Sequence, residues 1–363
     1  TINSAFVGIA PAGLGLTLDT VEVGGLLVSD GTVDYAAIRA DVGTSSFSSL
    51  LGLASSTVTN GALAINQNST GNNLVLDFSA GAFALPGTSL QLDMDGADGA
   101  LVEAEADLEL DVFGLTQLDG TFAFRKANGT FDVAGGSTFS GDYLAFGATI
   151  NSAFVGIAPA GLGLTLDTVE VGGLLVSDGA VDYAAIRADV GTSSFSGPLG
   201  LASSTVTNGT LAINQNSAGN NLVLDFSAGA FALPGTSLQL DMDGADGALV
   251  EAQADLELDA FGLVQLDGTF GFRKANDTFH REDGSSFTAD YLAIGASVDS
   301  ALVGFDGLGL GLGTVGNAAE NVEVGVLLVS DGTNDYSAIT ASAGVATFTG
   351  IGGLTSATVS NAT

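Results

Sequence analysis

TINSAFVGIAPAGLGLTLDTVEVGGLLVSDG opens at Thr1, closes at Gly31, and returns letter for letter from Thr149 to Gly179. Self-similarity at a fixed period decides an architecture before any local pattern does. The register of 148 residues then holds without a gap to Ala296, with about 18 positions differing between the two copies. A third copy opens at Ser297 as SVDSALVGFDGLGLGLG, carries five extra residues before Val322, and resumes as VEVGVLLVSDGTNDYSAI. Module one is therefore 1–148, module two 149–296, and a partial module three 297–363. The junction DYLAFGATINSAFVG (Asp142 to Gly156) is apolar on both sides and holds no Pro-, Ser- or charge-rich spacer. A continuous rod is expected rather than beads on a string. Thr363 stands opposite Ala62, in mid-module, and stacked repeats need polar caps to stay separate. The expectation is a stack that continues, in a longer chain or through a neighbouring one.

Composition supports many short strands joined by glycine turns. Hydrophobic residues make up 46% and charged residues 13%, with 53 Gly and no Cys or Trp. That is too apolar for disorder, and it lacks the charged periodic faces of soluble helices. Alternation with period two is frequent. In LQLDMD (Leu90 to Asp95) and VEAEADLELD (Val102 to Asp111), apolar residues take one face and acids or Gln the other. Turn signals stand at Ser29-Asp30-Gly31, Asn60-Gly61, Gly96-Ala97-Asp98-Gly99 and Asn128-Gly129. Strand-like runs thus recur about every ten residues, as in a solenoid, barrel or sandwich. The fold class expected is all-β, an elongated stack of tandem β-repeat modules, β-solenoid- or β-prism-like, with serial β-sandwiches as the alternative. Phe113, Phe122 and Phe124 read as core.

Forty-one acids against seven bases leave a net charge of −34. No basic patch could neutralise phosphates, so nucleic acid is excluded, and an anionic membrane surface would repel the chain. The uncharged stretch Tyr143 to Leu166 is long enough to span a bilayer, but six glycines, Pro159 and Asn151 break its apolar runs; no membrane span is expected. Absence of cysteine excludes disulfides and thiolate metal sites and fits an extracellular bacterial protein.

The acids point to Ca²⁺, a hard cation suited to carboxylate and carbonyl oxygens. LDMDGADG (Leu92 to Gly99) recurs at Leu240 to Gly247 and offers Asp93, Asp95 and Asp98, then Asp241, Asp243 and Asp246, around glycine turns. Glu103 and Glu251 on the following strand complete the candidate calcium ligands. The spacing is neither that of the twelve-residue EF-hand nor that of the GGxGxDxxx repeat. A solvated acidic strand face is the competing reading. Rows of acids without tryptophan do not resemble a glycosidase cleft. His280 is the only histidine and its counterpart is Asp132, so no repeated Ser–His arrangement exists. No catalytic residue is expected. Asp30 with Tyr35, repeated as Asp178 with Tyr183 and Asp331 with Tyr336, reads as a hairpin turn with a packed tyrosine, and the sequons at Asn128, Asn208 and Asn276 read as turns.

YAAIRADVGTSSFSSLLGLASSTVTNGALAINQN (Tyr35 to Asn68), followed by LELDVFGLTQLDGTFAFRK (Leu108 to Lys126), resembles repeat modules of giant secreted bacterial surface proteins. The likeness covers roughly Tyr35 to Lys126 and Tyr183 to Lys274. It implies export to a calcium-rich cell surface and a structural or adhesive role. The function expected is the shaft of an extracellular filament, sheath or surface coat, self-associating or continuing as a longer repeat chain. The alternative is the stalk of a large calcium-dependent adhesin with a glycan or surface contact elsewhere; a carbohydrate-active enzyme is the third.

Overall fold

The computed structural model describes residues 1–9, 14–48, 54–112, 115–157, 162–197, 202–305, 308–313, 321–349 and 356–362. These are almost all strand. Module one holds β1 (Ile2–Ile9), β2 (Leu14–Ser29), β3 (Asp34–Ser48), β4 (Ala54–Asn68), the two-residue strands β5 (Phe83–Ala84) and β6 (Gln91–Leu92), β7 (Leu101–Val112), β8 (Thr116–Val133) and β9 (Ser137–Ile157). Module two repeats them as β10 (Leu162–Ser177), β11 (Asp182–Ser196), β12 (Ala202–Asn216), β13 (Phe231–Ala232), β14 (Gln239–Leu240), β15 (Leu249–Ala260), β16 (Val264–His280) and β17 (Ser286–Phe305). Then come β18 (Leu308–Gly313), β19 (Val322–Ser330), β20 (Asp335–Thr349) and β21 (Ser356–Ala362).

All but β5, β6, β13 and β14 join one antiparallel sheet of seventeen strands. Each strand pairs with the next along the chain, and β18 and β19 share one lane between β17 and β20. The module boundary at 148/149 falls inside β9, whose first half pairs with β8 and β10 as its second half does. Nothing in the hydrogen-bond ladder marks where one copy ends.

The strands are longer than the turn signals suggested. Asn60-Gly61 and Asn128-Gly129 do not turn the chain; they lie inside β4 and β8, as Asn208 and Asn276 lie inside β12 and β16. At Asn60 the backbone takes φ 52° and the β4–β7 register shifts by one residue between Thr59 and Ala62. Thr20 in β2 takes φ 54° opposite Gly43 without a shift of register, and β9 gains a residue on β8 beside Asp119 and Gly120. These bulges lie in one row across the sheet, and Thr168 and Asn208 repeat the row at φ 54° and 51°. An extra residue inverts which face the following side chains occupy. The apolar alternation slips at the same places, from Leu18 to Val21 and from Val58 to Gly61, so bulge and slip cancel. One face of the sheet stays apolar along the whole strand.

The stretch between β4 and β7 leaves the sheet and folds back over its other face as a flap (69–100), repeated between β12 and β15 (217–248). LQLDMD belongs here; only Gln91 and Leu92 of it pair as a strand, with β5. Its alternation is nonetheless expressed, because Leu90, Leu92 and Met94 are buried while Asp93 and Asp95 face water. The core sits between flap and sheet: Leu85, Leu90, Leu92 and Met94 from the flap against Leu101, Ala127, Tyr143 and their repeats Leu249 and Ala275 from the strands. Phe122 and Phe124 are not part of it. Phe124 is 41% exposed on the apolar face, turned away from the flap, and Phe113 lies outside the described residues.

Candidate functional site

Three arrangements could carry a function: the acidic turn, the flap seam and the apolar face. In the acidic turn, Asp95 accepts a hydrogen bond from the Ala97 amide at 2.8 Å and so caps a single 3-10 turn, Gly96–Asp98. Its neighbours are taken by arginines. Arg39 on β3 holds Asp93 at 3.1 Å, and Arg125 on β8 holds Asp98 at 2.6 Å and Glu103 at 3.7 Å. Module two copies this, with Arg187 on Asp241, Asp243 capping Gly244–Asp246, and Arg273 on Asp246 (2.6 Å) and Glu251 (3.2 Å). Six of the eight candidate calcium ligands are thus paired with arginines, while Asp95 and Asp243 cap the 3-10 turns. Among the described residues no group of three or more acids or histidines is placed to hold a metal ion. The arginines moor the flap to the sheet, a role the spacing of the acids did not reveal.

The rest of the seam uses neutral groups and one carboxylate. Flap two reaches back over strands of module one. The Ala134 amide donates to the Val223 carbonyl at 2.8 Å, and the Asp225 amide to the Asp132 carbonyl at 2.9 Å. The Thr149 hydroxyl donates to the Gly235 carbonyl at 2.8 Å and to Glu170 at 3.1 Å, and Glu170 in turn accepts from the Ser237 amide and hydroxyl. Phe231 packs edge-on against Tyr143 at 5.5 Å, and Phe139 stacks on Tyr183 at 5.3 Å. Flap two therefore ties β8 of one module to β16 of the next.

Flap one, with nearly the same sequence, has only the eight residues of β1 on that side. Phe83 is 44% exposed where its repeat Phe231 is half-buried, and Val75 and Leu76 are half-buried where Val223 and Leu224 are wholly buried. Glu22 keeps the clamp: it is held at about 2, first by the Ser89 hydroxyl, then by the Thr1 hydroxyl and the Ser89 amide. For Glu170, burial pushes the carboxyl up, but the bonds from Ser237 and Thr149 outweigh it and the net direction is down.

The turn expected at Asp30 is present. The Asp30 carboxylate accepts from the Thr32 and Val33 amides, both at 2.8 Å, and from the Tyr35 hydroxyl at 3.3 Å. Asp331 repeats it with Tyr336 and adds Arg281, whose guanidinium also lies 4.3 Å from the Phe287 ring centre. Arg281 stands where module one has Val133, so the second seam replaces an apolar contact with an ion pair. His280, beside it, ends β16 opposite Ser286.

The apolar face is what the sequence reading missed. It is concave: one cavity of about 640 Å³ is lined by Leu18 on β2, Val42, Val58, Ala106 and Phe122 on the intervening strands, and Val171 on β10. A second, of about 670 Å³, is lined by Phe272, Ile294, Val324 and Ile339, with Glu251, Arg273 and Glu323 also on its lining. Leu27 at 79% exposure and Ile339 at 72% mark how open this face is. The signal was present as the slip in alternation, which a strict period of two reads as a strand end. Tyr143 to Leu166 lies along β9 and β10 outside residues 158–161, and no helix among the described residues is long and apolar enough to cross a membrane. Comparison of the chain with protein-family models, curated proteins and solved structures finds no match.

Proposed function

We propose that the chain is a structural protein, the shaft of an extracellular bacterial filament, sheath or surface coat. The observation that carries this is the seam: the module boundary lies within β9, and flap two is bonded to the strands of both modules. A machine with separate working domains has no use for such a joint, whereas a shaft requires it. In this reading the modules form a solenoid-like stack whose long axis runs across the strands. Each copy adds six lanes, about 29 Å of contour along the curved sheet at about 4.8 Å per lane. Among the described residues β1 pairs with β2 and β21 with β20, and strand addition at such positions is how one module would be joined to the next. The acidic surface, the lack of cysteine and the likeness to giant surface proteins support an extracellular setting. Outward carboxylates such as Glu109 would keep shafts apart in low calcium and let Ca²⁺ bridge them.

Electron microscopy of chains with one, two and three full modules tests the reading. Rods that lengthen by a constant increment of no more than about 29 Å per module are expected. Particles that stay globular as modules are added would overturn it. Chelation is expected to separate laterally associated rods without shortening them.

A further inference from the structure

Leu18 on β2 and Val171 on β10 stand six lanes apart in the ladder, about 29 Å of sheet at about 4.8 Å per lane, yet both line the cavity of about 640 Å³. The strands between them all contribute to the same lining, with Val42, Val58, Ala106, Phe122 and Phe146 among their side chains. The sheet therefore curls around this space and half-encloses it. A second sheet or a lipid bilayer offers a broad surface and cannot enter such a trough, and a chain of net charge −34 is repelled by anionic headgroups as well.

The lining offers nothing to a polar occupant. Ala104 and Ala106 face the cavity, and successive residues of a strand take opposite faces. Glu105, between them, pairs with Ala123, whose side chain lies against Gly235 of flap two. Its carboxylate therefore stands on the flap side of the sheet. Ser45 carries the one hydroxyl on the lining, which has no Lys, Arg or His among the described residues. β3, β4, β7, β8 and β9 are paired on both sides, so outside the bulges their amides and carbonyls are spent on the ladder. An ion, a head group or a peptide backbone placed here would lose its hydrogen bonds to water and find none in return. A space walled by hydrocarbon stays dry and takes apolar guests. About 640 Å³ is also within the range of small-molecule sites.

We propose that this cavity binds a neutral aliphatic hydrocarbon, a chain without a head group held by the Val/Ala/Phe wall alone. The inference goes beyond the shaft reading and does not depend on it.

The test measures uptake of n-octane by the full chain from headspace partition, with sedimentation and circular dichroism on the same samples. Saturable uptake by a monomer is expected. Ala106→Phe, which fills the cavity, should abolish it. Val58→Thr, which puts a hydroxyl in the wall at nearly the same volume, should weaken it about tenfold. 1-Octanol, the same chain with a hydroxyl, should bind about tenfold more weakly than n-octane. Glu105→Gln should change nothing, because that side chain stands on the other face. No saturable uptake by the folded chain would overturn the proposal, as would uptake that survives Ala106→Phe or falls with Glu105→Gln. Where Ala106→Phe disturbs the circular dichroism spectrum, Val58→Thr decides, and undiminished uptake by that variant overturns the proposal. Tighter binding of 1-octanol would overturn it by revealing a polar partner in the wall. A dimer that Val58→Thr dissociates would overturn it too, and would make a second copy the occupant.

Discussion

At the scale of single residues, two positions show how tightly flap and sheet are fitted. Asn214 is wholly buried on β12, and its side-chain amide donates to the Leu224 carbonyl at 2.7 Å; Asn66 does the same for Leu76 at 2.6 Å. Removing the donor strands a buried carbonyl, so Asn214→Ala should cost about 1–3 kcal/mol in urea unfolding. Gly191 is the second position. A methyl group there would stand 2.0 Å from the Thr168 hydroxyl, and Thr168 itself sits at φ 54°, a conformation that favours glycine. Gly191→Ala should destabilise by about 1–3 kcal/mol. Adding Thr168→Gly should restore most of the loss, since it removes both the obstacle and the strained side chain. A double-mutant cycle without coupling would show that the two residues do not share this row of bulges.

Among the elements, the flap is the one whose attachment can be switched. Glu22 is ionised with its carboxyl held at about 2, below the ordinary value of about 4.3 for a free glutamate. A depressed carboxyl contributes stability that is complete above the unfolded value and disappears as pH falls through the folded one. Protection of the Ser89 amide against hydrogen exchange should therefore drop as pH is lowered from about 4.3 toward 2, and Glu22→Gln should remove that dependence. The seam offers an internal control, because the same repeat position meets a flap in one copy and none in the next. A Cβ at Gly147 would lie 2.0 Å from the Pro234 carbonyl oxygen, whereas one at Gly295 meets nothing within 4 Å. Gly147→Ala should cost about 1–3 kcal/mol, and Gly295→Ala should be neutral or stabilise by up to about 1 kcal/mol. Equal effects would mean that flap two does not rest on β9. Much of this level was legible in sequence: VEAEADLELD forms β7 with its acids on one face, and the Asp30 turn stands where expected. The flap was not, because its buried leucines alternate as a strand would, and only the tertiary contact distinguishes the two.

For the whole molecule, the proposed stack implies a one-dimensional array, in which stability grows with the number of coupled neighbours. Chains of one, two and three modules should unfold at successively higher urea concentration. A midpoint independent of module number would show the copies to be uncoupled. The two faces of the sheet divide the chemistry. Flaps and arginines occupy one side, while the other carries exposed apolar residues and the two lysines, with Asp142 and Asp182 beside Lys126 and Asp290 and Asp335 beside Lys274.

The period of 148 residues, the all-β class and the absence of a spacer were settled by the order of residues alone, because exact repetition and apolar alternation are local and need no partner to be read. Which side of each strand is covered was decided only in three dimensions. A single bulged residue inverts every side chain beyond it, and a flap inserted between β4 and β7 chooses the face that becomes core. The same sequence is therefore wholly buried at Val223 and half-open at Val75, because burial depends on what the neighbouring lanes supply.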